Sequence, residues 1–156
     1  MNQKYKHIFQ HINIGGITFR SRLAAAPMGF PDITPDGCIA PGMTAFYELR
    51  ALGGAAAVTV SEAMTHPTGR THGRVIDLTN PAVIASLTNT ARAIRRHGAV
   101  ASLELNHGGK SDTMDAAPGA GKSASGDGKT SINEMSAELI REIVRSCGDG
   151  AAVVKR

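Results

Sequence analysis

The sequence predicts an α/β fold with parallel strands, and three observations carry that expectation. Short apolar runs at 23–27, 55–60 and 99–105 alternate with segments of helical periodicity, the pattern of strands joined by right-handed crossover helices. Each run is short and bounded by glycine, proline or polar residues, as strands buried in a parallel sheet are. The last run, LELNHGGK, ends its apolar stretch on Glu104, Asn106 and His107. Polar groups at a buried strand end need a partner, whether backbone, water or ligand.

A chain of 156 residues is the size of one domain and can bury a core without a disulfide or metal staple. Cys38 and Cys147 are its two cysteines. Their separation matches neither a paired nor a metal-ligand spacing and suits reduced thiols, so a cytoplasmic protein is expected. The opening MNQKYKHIFQ has no apolar signal region, and no apolar run approaches a membrane span. The net charge of +4 is dispersed and aromatics make up only 4%, which argues against nucleic-acid binding.

Residues 7–20 place two β-rich runs around Gly15-Gly16, the signature of a tight hairpin ahead of the main fold. Leu23–Pro27 then reads as a strand, followed by a loop rich in glycine, proline and aspartate to about Gly42. Helical spacing of Met43, Phe46 and Tyr47, with Pro41 at the start and Gly53-Gly54 at the end, predicts a helix over 43–52. Ala55–Val60 is the second strand, ending on Ser61-Glu62.

Asn80-Pro81 offers an N-cap and a first-turn proline, and Val83, Ile84, Leu87, Ala91 and Ile94 follow with helical spacing. Arg92, Arg95, Arg96 and His97 fall in its last turns, where cations complement the helix dipole, and Gly98 supplies the stop. Ala99–Leu105 is the third strand. Residues 106–133 read as a long flexible loop rich in glycine, serine and lysine. Ser136 then caps a helix with an apolar face of Ile140, Ile143, Val144, Cys147, Ala151 and Val154, and Met135 and Ile140 are placed as a hydrophobic staple.

The order is hairpin, β, α, β, α, β, α. From the elements alone, an open doubly wound sheet and a partial (β/α)8 barrel both satisfy it, although the first turn lacks the glycine pattern of dinucleotide-binding sheets. In a barrel the chemistry gathers at the C-terminal strand ends. Here those read Ala26-Pro27-Met28-Gly29, Ser61-Glu62-Ala63 and Glu104-Leu105-Asn106-His107.

Taken together, these segments resemble the N-terminal part of the Old Yellow Enzyme family, the FMN-dependent ene-reductases that include dienoyl-CoA, steroid and bile-acid reductase branches. INIGGITFRSRLAAAPM resembles the family's opening I-I-G-x-x-x-x-N-R-x-x-x-A-P-M, with Ser21 in place of asparagine. PTGR at Pro67–Arg70, LELNHGGK against Q-L-x-H-x-G-R, and MSAELIREIV against M-T-x-E-E-I-x-x-x-V continue it in order. The resemblance implies a partial TIM barrel over residues 1–156, comprising the hairpin and the first three β/α units.

The resemblance also implies a cofactor-binding set of Pro27, Met28 and Gly29 (backbone at the isoalloxazine ring), Glu62, and Glu104 in place of a glutamine on the pyrimidine edge. An ionised Glu104 accepts hydrogen bonds without donating them, and Gly29 stands where some relatives carry a redox-tuning cysteine or threonine. The family's substrate-holding and acid residues and its phosphate loops would follow Val153-Val154-Lys155-Arg156, so no catalytic residue is expected within this stretch.

The activity implied is NAD(P)H-dependent reduction of activated C=C bonds, completed through self-association or a complementing C-terminal chain. The alternative is a non-catalytic half-barrel or interaction subunit that binds no flavin alone. Apolar inner barrel faces and open strand edges are expected for three parallel strands.

AAPGAGKS (116–123) and SASGDGKT (123–130) approach the phosphate-cradling G-x-x-x-x-G-K-[ST] pattern but lack its first glycine and its strand-to-helix setting. Flexible linker is the reading preferred for them. His66, His72 and His107 with Glu62 and Glu104 lack metal-ligand spacing, so no metal is expected and His107 is read as architectural. Arg70, Arg74 and Lys110 read as solvated charges.

Overall fold

The computed structural model describes residues 3–29, 32–109, 121–125 and 132–155. After a 3-10 turn at Gln3–Tyr5 comes the hairpin, in which β1 (Ile12–Ile14) pairs antiparallel with β2 (Ile17–Phe19). Gly15 and Gly16 between them have φ of 58° and 80°, the left-handed pair that a two-residue turn matched to strand twist requires. The paired segment is narrower than 7–20. Residues 7–11 contribute turns and bends instead.

The main sheet is parallel. β4 (Ala57–Met64) lies at its centre, with β3 (Ala24–Ala25) along the start of one edge and β6 (Val100–Asn106) along the other. β5 (Ile76–Asp77) joins beside the end of β4. Sequence reading missed β5 because two residues show no period. Helices α1 (Pro41–Leu52), α2 (Val83–Arg95) and α3 (Ala137–Val154) follow β3, β4 and β6 in the chain. This is the expected βα order.

Met43, Tyr47 and Ala51 of α1 form the core with Val58 and Val60 of β4 and Val83 and Ile94 of α2. Ala25, Ala101 and Leu103 pack against it from the flanking strands. Odd positions of β6 and even positions in the first half of β4 therefore face the helices, as a period of two demands. The opposite face is not the apolar surface expected of a barrel interior. Thr59 and Ser102 share a hydrogen bond of 2.8 Å there, and Ser61 Oγ donates to Glu104 at 3.3 Å.

β4 does not end at Ser61-Glu62. Its register with β6 shifts between Val60 and Ala63, so two residues of β4 oppose Glu104 alone, and pairing then resumes through Met64–Asn106. This is a β-bulge, which inserts one residue and bends the strand. It turns Ser61 and Glu62 to the open face together, where they meet Glu104 and Asn106.

Helix ends differ in detail from expectation. α1 stops through Gly54, the left-handed residue at φ 108°, whereas Gly53 remains right-handed. Asn80 Oδ1 accepts from Ala82 N at 3.0 Å in the turn ahead of α2, but the N-cap is Ala82 with no side-chain cap bond, so Asn80 and Pro81 precede the helix instead of opening it. Ser136 caps α3 by accepting from Leu139 N. The apolar stripe of α3 is not its buried face: Val144 is 65% exposed, and the buried residue is Gly150. A Cβ at 150 would sit 3.1 Å from Thr65 Cγ2 and 3.3 Å from Leu78 Cδ1. That glycine lets the helix approach the sheet closely.

The described part of residues 106–133 includes paired strands. β7 (Gly121–Ser123) and β8 (Ile132–Glu134) pair in parallel within this stretch and just beyond it, and Met135 N–H extends the contact to Ser123 O. Three-residue strands built around glycine, lysine, serine and asparagine carry no apolar alternation to announce them. Most of the two lysine-glycine segments, and Lys110, lie outside the described residues.

The N-terminal hairpin is tied to the sheet's underside by Arg20. Its guanidinium donates to Ala51 O at 2.6 Å, to Ala55 O at 2.8 Å and to His97 O. Two of these carbonyls lie at or just beyond the C-terminus of α1 and one just past that of α2, where a cation complements the helix dipole. Glu48 joins the same helices by accepting from Arg96 at 3.3 Å and pairing with His97 at 2.9 Å.

Candidate functional site

The strand exits converge on one rim. Pro27, Met28 and Gly29 follow β3 and are exposed, Met28 by 53%. A Cβ built on Gly29 meets nothing within 4 Å. Gly29 lines a cavity of about 610 Å³ together with Ile33 and Met43, Ser61 and Glu62 from the bulge, and the 72–76 segment. Its wall is thus apolar toward α1 and polar toward β4.

Glu62 is the most connected side chain on the rim. Its Oε1 accepts from Thr71 Oγ1 at 3.1 Å and pairs with His72 Nε2 at 2.8 Å, and its Oε2 accepts from Asn106 Nδ2. A carboxylate with three side-chain partners is held as an anchor between β4, β6 and the 71–72 turn. Its role here is to fix the loop that closes one side of the cavity. Glu104 is partly buried and joined to Ser61, one step from the cavity wall.

Behind the rim, Tyr47 reaches from α1 to both exits. Its hydroxyl donates to Met28 O at 3.0 Å and accepts from Ser61 N at 2.9 Å. Sequence reading placed Tyr47 only in the apolar stripe of a helix. A tyrosine in such a stripe signals a buried hydroxyl in need of a partner, which was the available clue.

His107 sits outside the cavity, past the exit of β6. Its Nδ1 accepts from Gly109 N at 3.1 Å, and its Nε2 lies 3.1 Å from Thr68 Oγ1. Thr68 continues to His66 Nδ1 at 2.8 Å, and His66 Nε2 to Glu142 of α3 at 3.3 Å. With both rings neutral every donor faces an acceptor, because Thr68 N–H also bonds His66 Nδ1. Burial, and then the nearby His66, push His107 below the ordinary histidine value.

A proton on His107 Nδ1 would remove the acceptor of Gly109 N–H. The unfolded chain therefore binds this proton more readily, and stability is lost as pH falls from about 6.5 toward the lower folded value. Urea midpoints at pH 7.5 and 5.5 are expected to differ less in His107→Gln than in the parent. An equal or larger difference would remove His107 as the group responsible.

A short parallel βα array whose strand exits converge on one cavity is the beginning of a β/α barrel, with its site at the C-terminal rim. The family model for the NADH:flavin oxidoreductase / NADH oxidase family matches residues 7–155. The chain belongs to that family. It is 28% identical over 150 residues to an NADPH dehydrogenase of Halalkalibacterium halodurans, a match covering 96% of this chain and 44% of the relative. An NADH:acrylate oxidoreductase of Vibrio harveyi is 29% identical over 143 residues, covering 86% and 14%.

Among solved structures, morphinone reductase in complex with tetrahydroNAD superposes with a TM-score of 0.83 at 19% identity, over 96% of this chain and 46% of that one. The Old Yellow Enzyme of Trypanosoma cruzi superposes at 0.64 with 23% identity, over 69% and 29%. These neighbours bear out the partial TIM-barrel fold, and the family match over residues 7–155 bears out the family resemblance. The chain spans less than half the length of each of these four proteins. Among the described residues, no helix is long and apolar enough to cross a membrane.

Proposed function

We propose that the rim formed by Pro27, Met28, Gly29, Glu62 and Glu104 is one side of an FMN site in an NAD(P)H-dependent oxidoreductase acting on activated C=C bonds. The observation that carries this reading is the convergence of the β3 exit and the β4 bulge on one cavity, with Glu104 held against it through Ser61. An isoalloxazine ring has apolar faces and an edge of alternating carbonyls and N–H. Ile33, Met43 and Ile76 supply apolar wall, and open space over Gly29 leaves room for a flat ring. Glu104 fits an N–H on that edge and fits the neighbouring carbonyl poorly.

Bound flavin supplies hydride transfer between a nicotinamide and the alkene. The residues of this chain bind and orient. Met28 and Gly29 offer backbone at the ring, the bulge presents Ser61 and Glu62, and Glu62 holds the 71–72 turn in place. The substrate pocket and phosphate contacts belong to the further β/α units that the full-length relatives possess, in the same or a complementing polypeptide, and the setting is cytoplasmic.

The test is the visible spectrum of the purified chain after incubation with excess FMN and removal of the unbound fraction. A flavin band approaching one per chain is expected. A colourless chain with folded circular dichroism would favour the second reading, a half-barrel that binds no flavin alone.

A further inference from the structure

We infer that Tyr47 is a positioning residue, whose hydroxyl locks the β3 exit and the β4 bulge into the relative placement that receives the cofactor. The inference rests on the site reading above. Its basis is geometric. A bulge leaves one residue outside the ladder, and a buried N–H without a partner is costly. Here the ladder is interrupted between Val60 and Ala63, and the buried Ser61 N–H is answered by Tyr47 Oη at 2.9 Å.

The same hydroxyl has one proton to give. Met28 O at 3.0 Å is the nearer acceptor, with Ser61 O at 3.4 Å. One oxygen therefore joins the two backbone segments that line or border the cavity, from a ring that is itself 0% exposed. The ring is fixed in turn by packing edge-on against Phe46 at 5.3 Å. Burial raises the tyrosine pKa above its usual value, with the nearby Glu104 acting in the same direction. The hydroxyl accordingly keeps its proton, and with it the bond to Met28 O, throughout the neutral range.

Among the described residues, no other core hydroxyl is bonded to both strand exits. Thr90, equally buried, bonds Thr44 at 2.8 Å and Ser86 O at 2.9 Å at the α1–α2 contact, away from the rim. Thr90→Val thus removes a buried hydroxyl without touching a strand exit. It serves as the comparison for a purely structural loss.

The experiment uses the 156-residue chain and its Tyr47→Phe and Thr90→Val variants. In the unliganded chains, hydrogen exchange of the Ser61 amide is expected to quicken about tenfold in Tyr47→Phe relative to Val58 and Val60, and to keep its rank in Thr90→Val. With FMN, Tyr47→Phe is expected to bind about tenfold more weakly and to shift the flavin's visible bands. Thr90→Val should leave both readings at the parent values.

Unchanged Ser61 exchange in a folded Tyr47→Phe chain would overturn the lock. FMN affinity and bands in Tyr47→Phe matching those of Thr90→Val would overturn its cofactor role. A parent chain that retains no FMN would overturn the site reading and the cofactor role together. That failure is separate from one in which the parent is yellow and the variant indistinguishable from it.

Discussion

Replacing Arg20 with alanine is expected to lower the stability of the chain by about 3 kcal/mol, the scale for losing several hydrogen bonds to one charged, partly buried group. The three carbonyls it serves, Ala51 O, Ala55 O and His97 O, lie at or beyond the ends of two helices. Without the guanidinium Ala51 O keeps its bond from Gly54 N–H at 3.1 Å, and Ala55 O and His97 O lose their side-chain donor. Arg20→Lys is expected to recover less than half, because an ammonium cannot fork across separate acceptors as a guanidinium does. Urea midpoints at constant m-value measure both variants. A loss in Arg20→Ala no larger than that of an exposed arginine such as Arg92 would refute the latch.

Glu104→Gln is expected to tighten FMN binding about tenfold, close to 1.4 kcal/mol. The carboxylate meets an N–H on the pyrimidine edge favourably and the adjacent carbonyl unfavourably, whereas an amide serves both. Its bond to Ser61 Oγ at 3.3 Å survives the change, since the amide oxygen also accepts. Fluorescence titration of FMN into both proteins reads the difference. Equal or weaker binding by the glutamine variant would place Glu104 away from the pyrimidine edge.

Much of the architecture was legible because local chemistry and fold agree. Gly15-Gly16 specified its turn by backbone permissiveness, and Ser136 announced α3 by its capping hydroxyl. The periods of α1 and α2 identified core positions that the structure confirms, Met43, Tyr47, Val83 and Ile94 among them. Of the strand-exit residues named through a family resemblance, Gly29 and Glu62 line the cavity, whereas Pro27, Met28 and Glu104 are not among its lining. Other features depend on pairing partners remote in sequence. The bulge at Ser61-Glu62 is a relation between two strands, and one strand's residues do not disclose it.

For the same reason, Val144 and Ile140 read as a buried stripe although α3 approaches the sheet through Gly150. Periodicity locates an apolar face. It does not say which part of the face finds a neighbour. The polar inner face was missed likewise: Thr59 and Ser102 each looked like one polar residue in an apolar run, Ser61 and Glu104 read as separate strand ends, and only register assembles them into cross-strand pairs.

The extra residue in β4 also gives the strand a removable step. Upstream of it Val58 and Val60 point to the helices, and downstream Ala63 does so again, because the two bulge residues share one turn of the alternation. Dropping either would restore plain alternation while leaving Ala63 in phase with the core. A lineage carrying this strand can therefore change how many groups it shows at the rim without repacking the interior, so the chemistry at this strand end is free to vary on a core that stays the same.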